Sequence, residues 1–268
     1  MARVKQFDVI TGSISNLSFY TRKGSDQVFV RTKGGATKSQ IKRRPEFANT
    51  RRNNMEFGGC SKMSKEIRQT FTKLAHVADY NLAPALCSVA KNIQKEDTES
   101  EWGERSIHLS KFRQYLVGFD FNRNTRFDSI LRIQMQNNID RATCEAVVDI
   151  PAFACSLGLY MPGKYSLFRL GASLGIATDH RLNDKKYSYE QIYNRNYQGY
   201  DTVYSSWYST QATIPEQQLK PNVLIPNVEF VDDDSFILSI AIEFGTLDAF
   251  GNPVAIKYAG AGKILGVK

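Results

Sequence analysis

Six basic side chains, Lys38, Lys42, Arg43, Arg44, Arg51 and Arg52, fall within one window of fifteen residues. Their ammonium and guanidinium groups suit contact with phosphate or with an acidic protein face. A solvated basic loop would have the same composition. No recognition-helix, RRM or KH signature accompanies them, so nothing points to the reading of a base sequence. The cluster belongs to a wider asymmetry. The first 76 residues hold 16 Lys and Arg against 5 Asp and Glu, a net +11, whereas the whole chain is +8. Residues 77–268 therefore carry a net −3: a basic arm precedes a slightly acidic body.

Other residue types that could do chemistry are poorly spaced for it. His76, His108 and His180 are isolated, with no second His or Cys at ligand spacing, so no metal site is expected. No His pattern supports a Ser or Cys nucleophile, and no catalytic residue is assigned. Lys33-Gly34-Gly35-Ala36-Thr37-Lys38-Ser39 resembles a phosphate loop in composition but lacks the G-x-x-x-x-G-K-[ST] spacing. Ala261-Gly262-Lys263-Ile264 has no Ser or Thr after the lysine. Asp232-Asp233-Asp234 reads as an exposed turn, without the periodic pattern of a calcium loop. No cofactor is implied.

Seven of the 13 tyrosines lie between Tyr187 and Tyr208, beside Trp207. Tyr189, Tyr193 and Tyr197 are four apart, as are Tyr200, Tyr204 and Tyr208. A fold at Gln198-Gly199 would pair Tyr197 with Tyr200, Tyr193 with Tyr204 and Tyr189 with Tyr208, all on one face of a hairpin. Gly199 and the β-prone Thr202-Val203-Tyr204 favour that reading over a helix with a tyrosine stripe; an irregular loop is the third possibility. Such a face would suit another subunit, a glycan or a nucleic acid. Equally, it could lie on the protein's own sheet with its hydroxyls at the water boundary.

The elements that must position these groups are legible in outline. Residues 14–33 read as a hairpin turning at Lys23-Gly24-Ser25-Asp26, with Tyr20 opposite Phe29 and Phe19 opposite Val30. Both of its faces would be apolar, and a lone two-stranded ribbon is marginal in water. Phe19, Tyr20 and Phe29 are therefore expected at an interface. Residues 34–44 form a basic loop, and Pro45 opens a helix that Gly58-Gly59 should break or bend. Met63, Ile67, Phe71, Leu74 and Ala78 mark a helix over 61–78. A third helix starts near Pro84. Glu96-Asp97-Thr98-Glu99-Ser100-Glu101 is an acidic exposed linker, and a short helix over 106–115 follows it. Strands are expected at Leu116–Phe121, Thr143–Ile150, Tyr165–Ala177, Asn222–Phe230, Phe236–Phe244 and Val254–Tyr258. Asp248 to Pro253 should be the turn between the last two.

The chain is thus expected to be α+β. An N-terminal β-hairpin arm (1–44) and a helical segment (45–115) precede an antiparallel β-sandwich or jelly roll (116–268). Apolar runs are too short to span a bilayer, and the first residues have no apolar signal region. The four cysteines, Cys60, Cys87, Cys144 and Cys155, are widely spaced and read as reduced thiols. A cytoplasmic protein without a membrane partner is the expectation.

Gly12-Ser13-Ile14-Ser15-Asn16-Leu17-Ser18-Phe19-Tyr20, Val30-Arg31-Thr32-Lys33-Gly34-Gly35, Phe47-Ala48-Asn49-Thr50-Arg51-Arg52-Asn53 and Glu56-Phe57-Gly58 resemble the N-terminal part of uncharacterised Bacteroidetes-type bacterial proteins. A looser similarity surrounds Ile240-Ala241-Ile242-Glu243-Phe244. The resemblance implies a bacterial origin and an arm-plus-body layout; it implies no catalytic residue. The function expected from the residues is non-enzymatic self-assembly, with the basic arm docked on a neighbouring subunit, as in phage-derived or filament-like assemblies. The alternatives are nucleic-acid binding by the arm, and a glycan-binding module or enzyme using the tyrosine face.

Overall fold

The computed structural model describes residues 3–5, 9–21, 27–183, 185–192, 199–223 and 230–268. It is mixed α+β with antiparallel sheets throughout. Its contacts divide the chain into two compact units, Met1–Arg51 and Arg52–Lys268.

The first unit is a four-stranded meander followed by a short helix. Strands β1 (Arg3–Lys5), β2 (Val9–Ile14), β3 (Leu17–Thr21) and β4 (Val28–Thr32) pair in sequence order. Tyr20 lies opposite Phe29 and Phe19 opposite Val30, the register that the spacing predicts. The Tyr20 and Phe29 rings stack with centroids 5.7 Å apart. The expected turn at Lys23–Asp26 lies outside the described residues. One correction concerns the strand before it. Ser15-Asn16 is a tight turn, with Ser15 at a positive φ of 48°, so residues 14–22 do not form one strand. Helix α1 (Lys38–Arg43) replaces the expected basic loop because Thr37 and Gln40 form a reciprocal cap at its start.

Helix α2 (Ala48–Gln69) starts in the last residues of the first unit, continues into the second and runs unbroken through Gly58-Gly59, against the expected break. It ends at Gln69, where the expectation ran on to Ala78, and a 3-10 turn occupies Ala75–Val77. Helix α3 (Leu82–Lys95) is capped by Asn81, whose side chain accepts from Ala83 N. Residues 106–115 hold only a 3-10 turn, Arg113–Tyr115. Leu116–Phe121 is no regular strand either. Gly118 N and Phe121 N donate to Ile264 O and Gly262 O, so this segment hooks onto a sheet edge as a loop.

Smaller elements follow: α4 (Phe127–Ile130), β5 (Gln136–Asp140), β6 (Glu145–Ile150), β7 (Phe153–Ala154) and α5 (Cys155–Gly158). The long strand β8 (Leu167–Thr178) leads into the hairpin β9 (His180–Asn183) and β10 (Ser188–Gln191). Then come β11 (Tyr200–Tyr204), β12 (Tyr208–Ser209), β13 (Thr213–Ile214) and β14 (Gln217–Leu219). The chain closes with β15 (Asp234–Leu247) and β16 (Pro253–Val267). The central sheet has the order β11-β8-β15-β16, with β12 also on β8.

Strict alternation gives this sheet two unlike faces. Phe168, Leu170, Leu174, Phe236, Leu238, Ile240, Ile242 and Phe244 point to one side, where Phe127, Ile130, Val148 and Ile150 cover them. The other side is paved with small residues: Gly171, Ser173, Gly175 and Ala177 on β8, Ser239 and Ala241 on β15, Gly260 and Gly262 on β16. Thr70, Leu74, Val77 and Phe121 press into that floor. A Cβ on Gly175 would stand 2.6 Å from Thr70, and one on Gly262 would stand 2.5 Å from the Phe121 ring. The small residues let the helical layer approach closely. Helices and strands therefore share one core, which contains Met63, Ile67, Leu86, Ala177, Ile237 and Ile264. All four cysteines are buried and free. Among the described residues no helix is long and apolar enough to cross a membrane.

Candidate functional site

Among its described side chains the first unit has no buried core. From residue 10 to Arg51, no described side chain reaches the buried class, while Ile10, Ile14, Leu17 and Val30 are among the most exposed large hydrophobics of the chain. Burial of apolar surface is what normally stabilises a sheet, so this unit is poorly stabilised by its own contacts. It also holds the charge. Residues 1–51 carry 11 Lys and Arg against 3 Asp and Glu, a net +8, and residues 52–268 are neutral.

The six predicted basic residues fall into separate roles. Arg51 donates from Nη1 to Ile41 O and Arg44 O, both at 2.8 Å, and so caps the carbonyl end of α1. Arg44 forms an exposed ion pair with Glu46 at 3.8 Å. Arg52 belongs to the second unit and lies over the Trp102 ring, 6.0 Å from its centroid. Lys38, Lys42 and Arg43 are exposed on α1, and their side chains meet no partner among the described residues. Of the six cations, three on one short helix are thus without a partner among the described residues.

The tyrosines do not share a hairpin face. Tyr189 pairs with Leu182, Tyr204 with Gly171 and Tyr208 with Phe168, each on a different partner from the expected one. Strand β8 offers a longer, glycine-containing partner, and β11 and β12 both take it. Tyr193 and Tyr197, with the proposed turn at Gln198, lie outside the described residues. Tyr189 is buried; its hydroxyl donates to Arg105 O at 2.8 Å and accepts from Gln94 Nε2 at 3.2 Å. Tyr200 is exposed, and Tyr204 and Tyr208 are half-buried against β8.

Three buried polar clusters escaped the sequence reading. Glu56 is fully buried and accepts from Arg105 Nε at 2.7 Å, Arg105 Nη2 at 2.8 Å, Gly103 N at 2.9 Å and Lys91 Nζ. Burial pushes its carboxyl up, but the Arg105 and Lys91 hydrogen bonds outweigh that and hold its pKa at about 2. Glu243 pairs with Arg169 at 2.7 Å and with His76 Nε2 at 3.1 Å. The Arg169 guanidinium lies 4.0 Å from the Tyr204 ring centroid and 4.8 Å from that of Trp207. In the third cluster, His180 Nε2 lies 3.3 Å from Glu66 Oε2, and Glu66 Oε1 accepts from Thr178 N. Burial pushes Glu66 up to about 7 and His180 down to about 4.

A signal for the second cluster exists in the sequence. Arg169 and Glu243 each interrupt the small-residue face of an alternating strand, and opposite charges on two buried strands must find each other. No family model, curated protein or solved structure matches this chain.

The clusters tie the helices to one another and to the strands. Glu56 joins α2 to α3 and the 103–105 loop, Glu243 joins β15 to β8 and the turn at His76, and Glu66 joins α2 to β9. Among the described residues no group of three His, Cys, Asp or Glu can hold a metal ion. The exposed arm is the feature left without an internal explanation.

Proposed function

We propose that this chain is a non-enzymatic structural protein that self-assembles, its basic N-terminal unit docking on a neighbouring copy. One observation carries the reading: the first unit buries none of its described side chains from residue 10 onward, yet exposes Ile10, Ile14, Leu17 and Val30. A four-stranded ribbon with two apolar faces gains its missing burial from another surface. Charge supports a copy of the chain as that surface. Glu96, Asp97, Glu99, Glu101 and Glu104 form a run without Lys or Arg, and Glu99, Glu101 and Glu104 are exposed. Lys38, Lys42 and Arg43 of a neighbouring copy complement it. Unlike surfaces meeting in this way give a heterologous contact, which builds rings or filaments.

Lys38, Lys42 and Arg43 also favour a second reading, in which the arm meets nucleic-acid phosphate. One pair of variants separates the two. Ile14→Lys with Val30→Lys removes the apolar contact and should abolish association while leaving the melting of the body unchanged. Lys38→Glu, Lys42→Glu and Arg43→Glu together should weaken association in a salt-dependent way. If association survives both sets and duplex or single-stranded DNA is retained only by the parent arm, nucleic-acid binding is the better reading.

A further inference from the structure

A groove of about 440 Å³ lies between α2 and α3. One stripe of α2 forms a wall: Phe57, Ser61, Ser64 and Arg68, spaced four, three and four apart. The facing stripe of α3 is Pro84, Cys87, Ser88 and Lys91. Ser64 Oγ donates to Ala83 O at 2.9 Å and fixes the two helices at one end. The middle of the groove exists because Ser61, Ser64, Cys87 and Ser88 are too small to fill the space between the helices. Its two ends are larger: Phe57, 64% exposed, near Lys91, and Arg68 near Pro84. From Phe57 to Arg68 the helix rises about 16 Å.

The charge in this groove is one-sided. Among the described residues no Asp or Glu lines it. Lys91 already has a carboxylate partner in Glu56 behind it, which it shares with Arg105. Arg68 is different: the half-buried residue forms no ion pair among the described residues, so its guanidinium lines the groove without a counter-charge. An oxyanion in the groove supplies that counter-charge through charge-assisted hydrogen bonds. The rest of the exposed lining is mostly carbon, which suits an apolar body.

We propose that the groove binds a small amphipathic carboxylate, with its carboxylate on Arg68 and its hydrocarbon chain running over Ser64, Ser61 and Ser88 toward Phe57. A cationic amphiphile finds no counter-charge there, and a neutral one leaves the Arg68 charge uncompensated. This site is independent of the assembly reading, because Arg68 and Ser88 both lie in the second unit.

Calorimetric titration of the full chain at pH 7 tests it, using octanoate, octanol and octylammonium as probes below their aggregation limits. Octanoate should saturate one site, octanol should bind at least tenfold more weakly, and octylammonium should give no saturable heat. Arg68→Met should weaken octanoate at least tenfold. Ser88→Phe, at an exposed helix position, should fill the groove and abolish binding while circular dichroism stays that of the parent. If Arg68→Met does not fold, Ser88→Phe decides alone. Absence of saturable octanoate binding, equal binding of octylammonium, or parental affinity in Ser88→Phe would overturn the proposal.

Discussion

The ring of Tyr189 occupies the space that a side chain on Gly59 would need. A Cβ there would stand 2.6 Å from the ring, whereas one on Gly58 meets nothing within 4 Å. Both glycines are inside α2. Gly58→Ala should therefore stabilise the protein by up to about 1 kcal/mol through helix propensity. Gly59→Ala gains the same propensity but overpacks the Tyr189 contact, at about 1–3 kcal/mol, and should be destabilised relative to Gly58→Ala. Urea denaturation of the two variants measures the difference. Equal stability would mean that the ring moves aside freely.

Glu66 Oε2 lies 3.3 Å from His180 Nε2, and His180 Nδ1, 2.9 Å from Thr178 O, donates to that carbonyl. Burial pushes Glu66 up from 4.5 to about 7. Folded protein therefore binds a proton there that unfolded protein binds only below 4.5, and ionisation at higher pH costs stability. Glu66→Gln mimics the protonated acid. Its stability advantage over the parent should be small below pH 4.5, grow between pH 4.5 and 7, and level off above, reaching roughly 1–3 kcal/mol. Chemical denaturation at pH 5 and pH 8 reads this directly. A variant less stable than the parent at pH 8 would show that Glu66 works as a carboxylate.

His76 faces oxygen on both sides: Nδ1 is 2.9 Å from Lys73 O and Nε2 is 3.1 Å from Glu243 Oε1. That geometry favours the imidazolium, and the Glu243 hydrogen bond raises the His76 pKa above 6.5. The pair's contribution is complete below pH 6.5 and is lost as pH rises through the raised value. Glu243 is pushed up by burial, but His76 and Arg169 hold it below its ordinary 4.5, so its own contribution fades only in more acid solution. Ring-proton NMR should give His76 a pKa above 6.5, and Glu243→Gln should lower it. A value at or below 6.5 in the parent would contradict the pairing.

Arg51 holds α1, while its basic neighbours do not. Arg51→Ala removes two charge-assisted bonds to Ile41 O and Arg44 O, at about 1–2 kcal/mol, and should speed hydrogen exchange across Lys38–Arg43. Replacing Lys38, Lys42 and Arg43 with Ala should leave that exchange within about twofold of the parent. Similar acceleration in both would mean that the free cations also stabilise the helix.

Much of the fold is legible because period-two alternation is strong. Phe236 to Phe244 and Tyr165 to Ala177 read as strands and are strands; the turn at Asp248–Pro253 is where the glycine and proline place it. The hairpin register at Tyr20 and Phe29 follows from chain spacing alone. Long-range choices are not legible. Gly58-Gly59 reads as a break because its reason, the Tyr189 ring, arrives some 130 residues later in the sequence. The tyrosine spacing suggests a self-paired hairpin, but β8 competes for the same strands and wins. Of the predicted basic site, local sequence gives position and charge but not role. Arg51 became a cap because α1 forms, and α1 forms through Thr37 and Gln40, two residues that look like loop.

Multi-angle light scattering of the full-length protein, over a concentration series at ordinary salt, tests self-assembly most directly. The expected mass is a multiple of the 30.3 kDa chain that rises with concentration and falls with the Ile14→Lys, Val30→Lys variant. A constant 30.3 kDa across micromolar concentrations would contradict a docking role for the N-terminal unit.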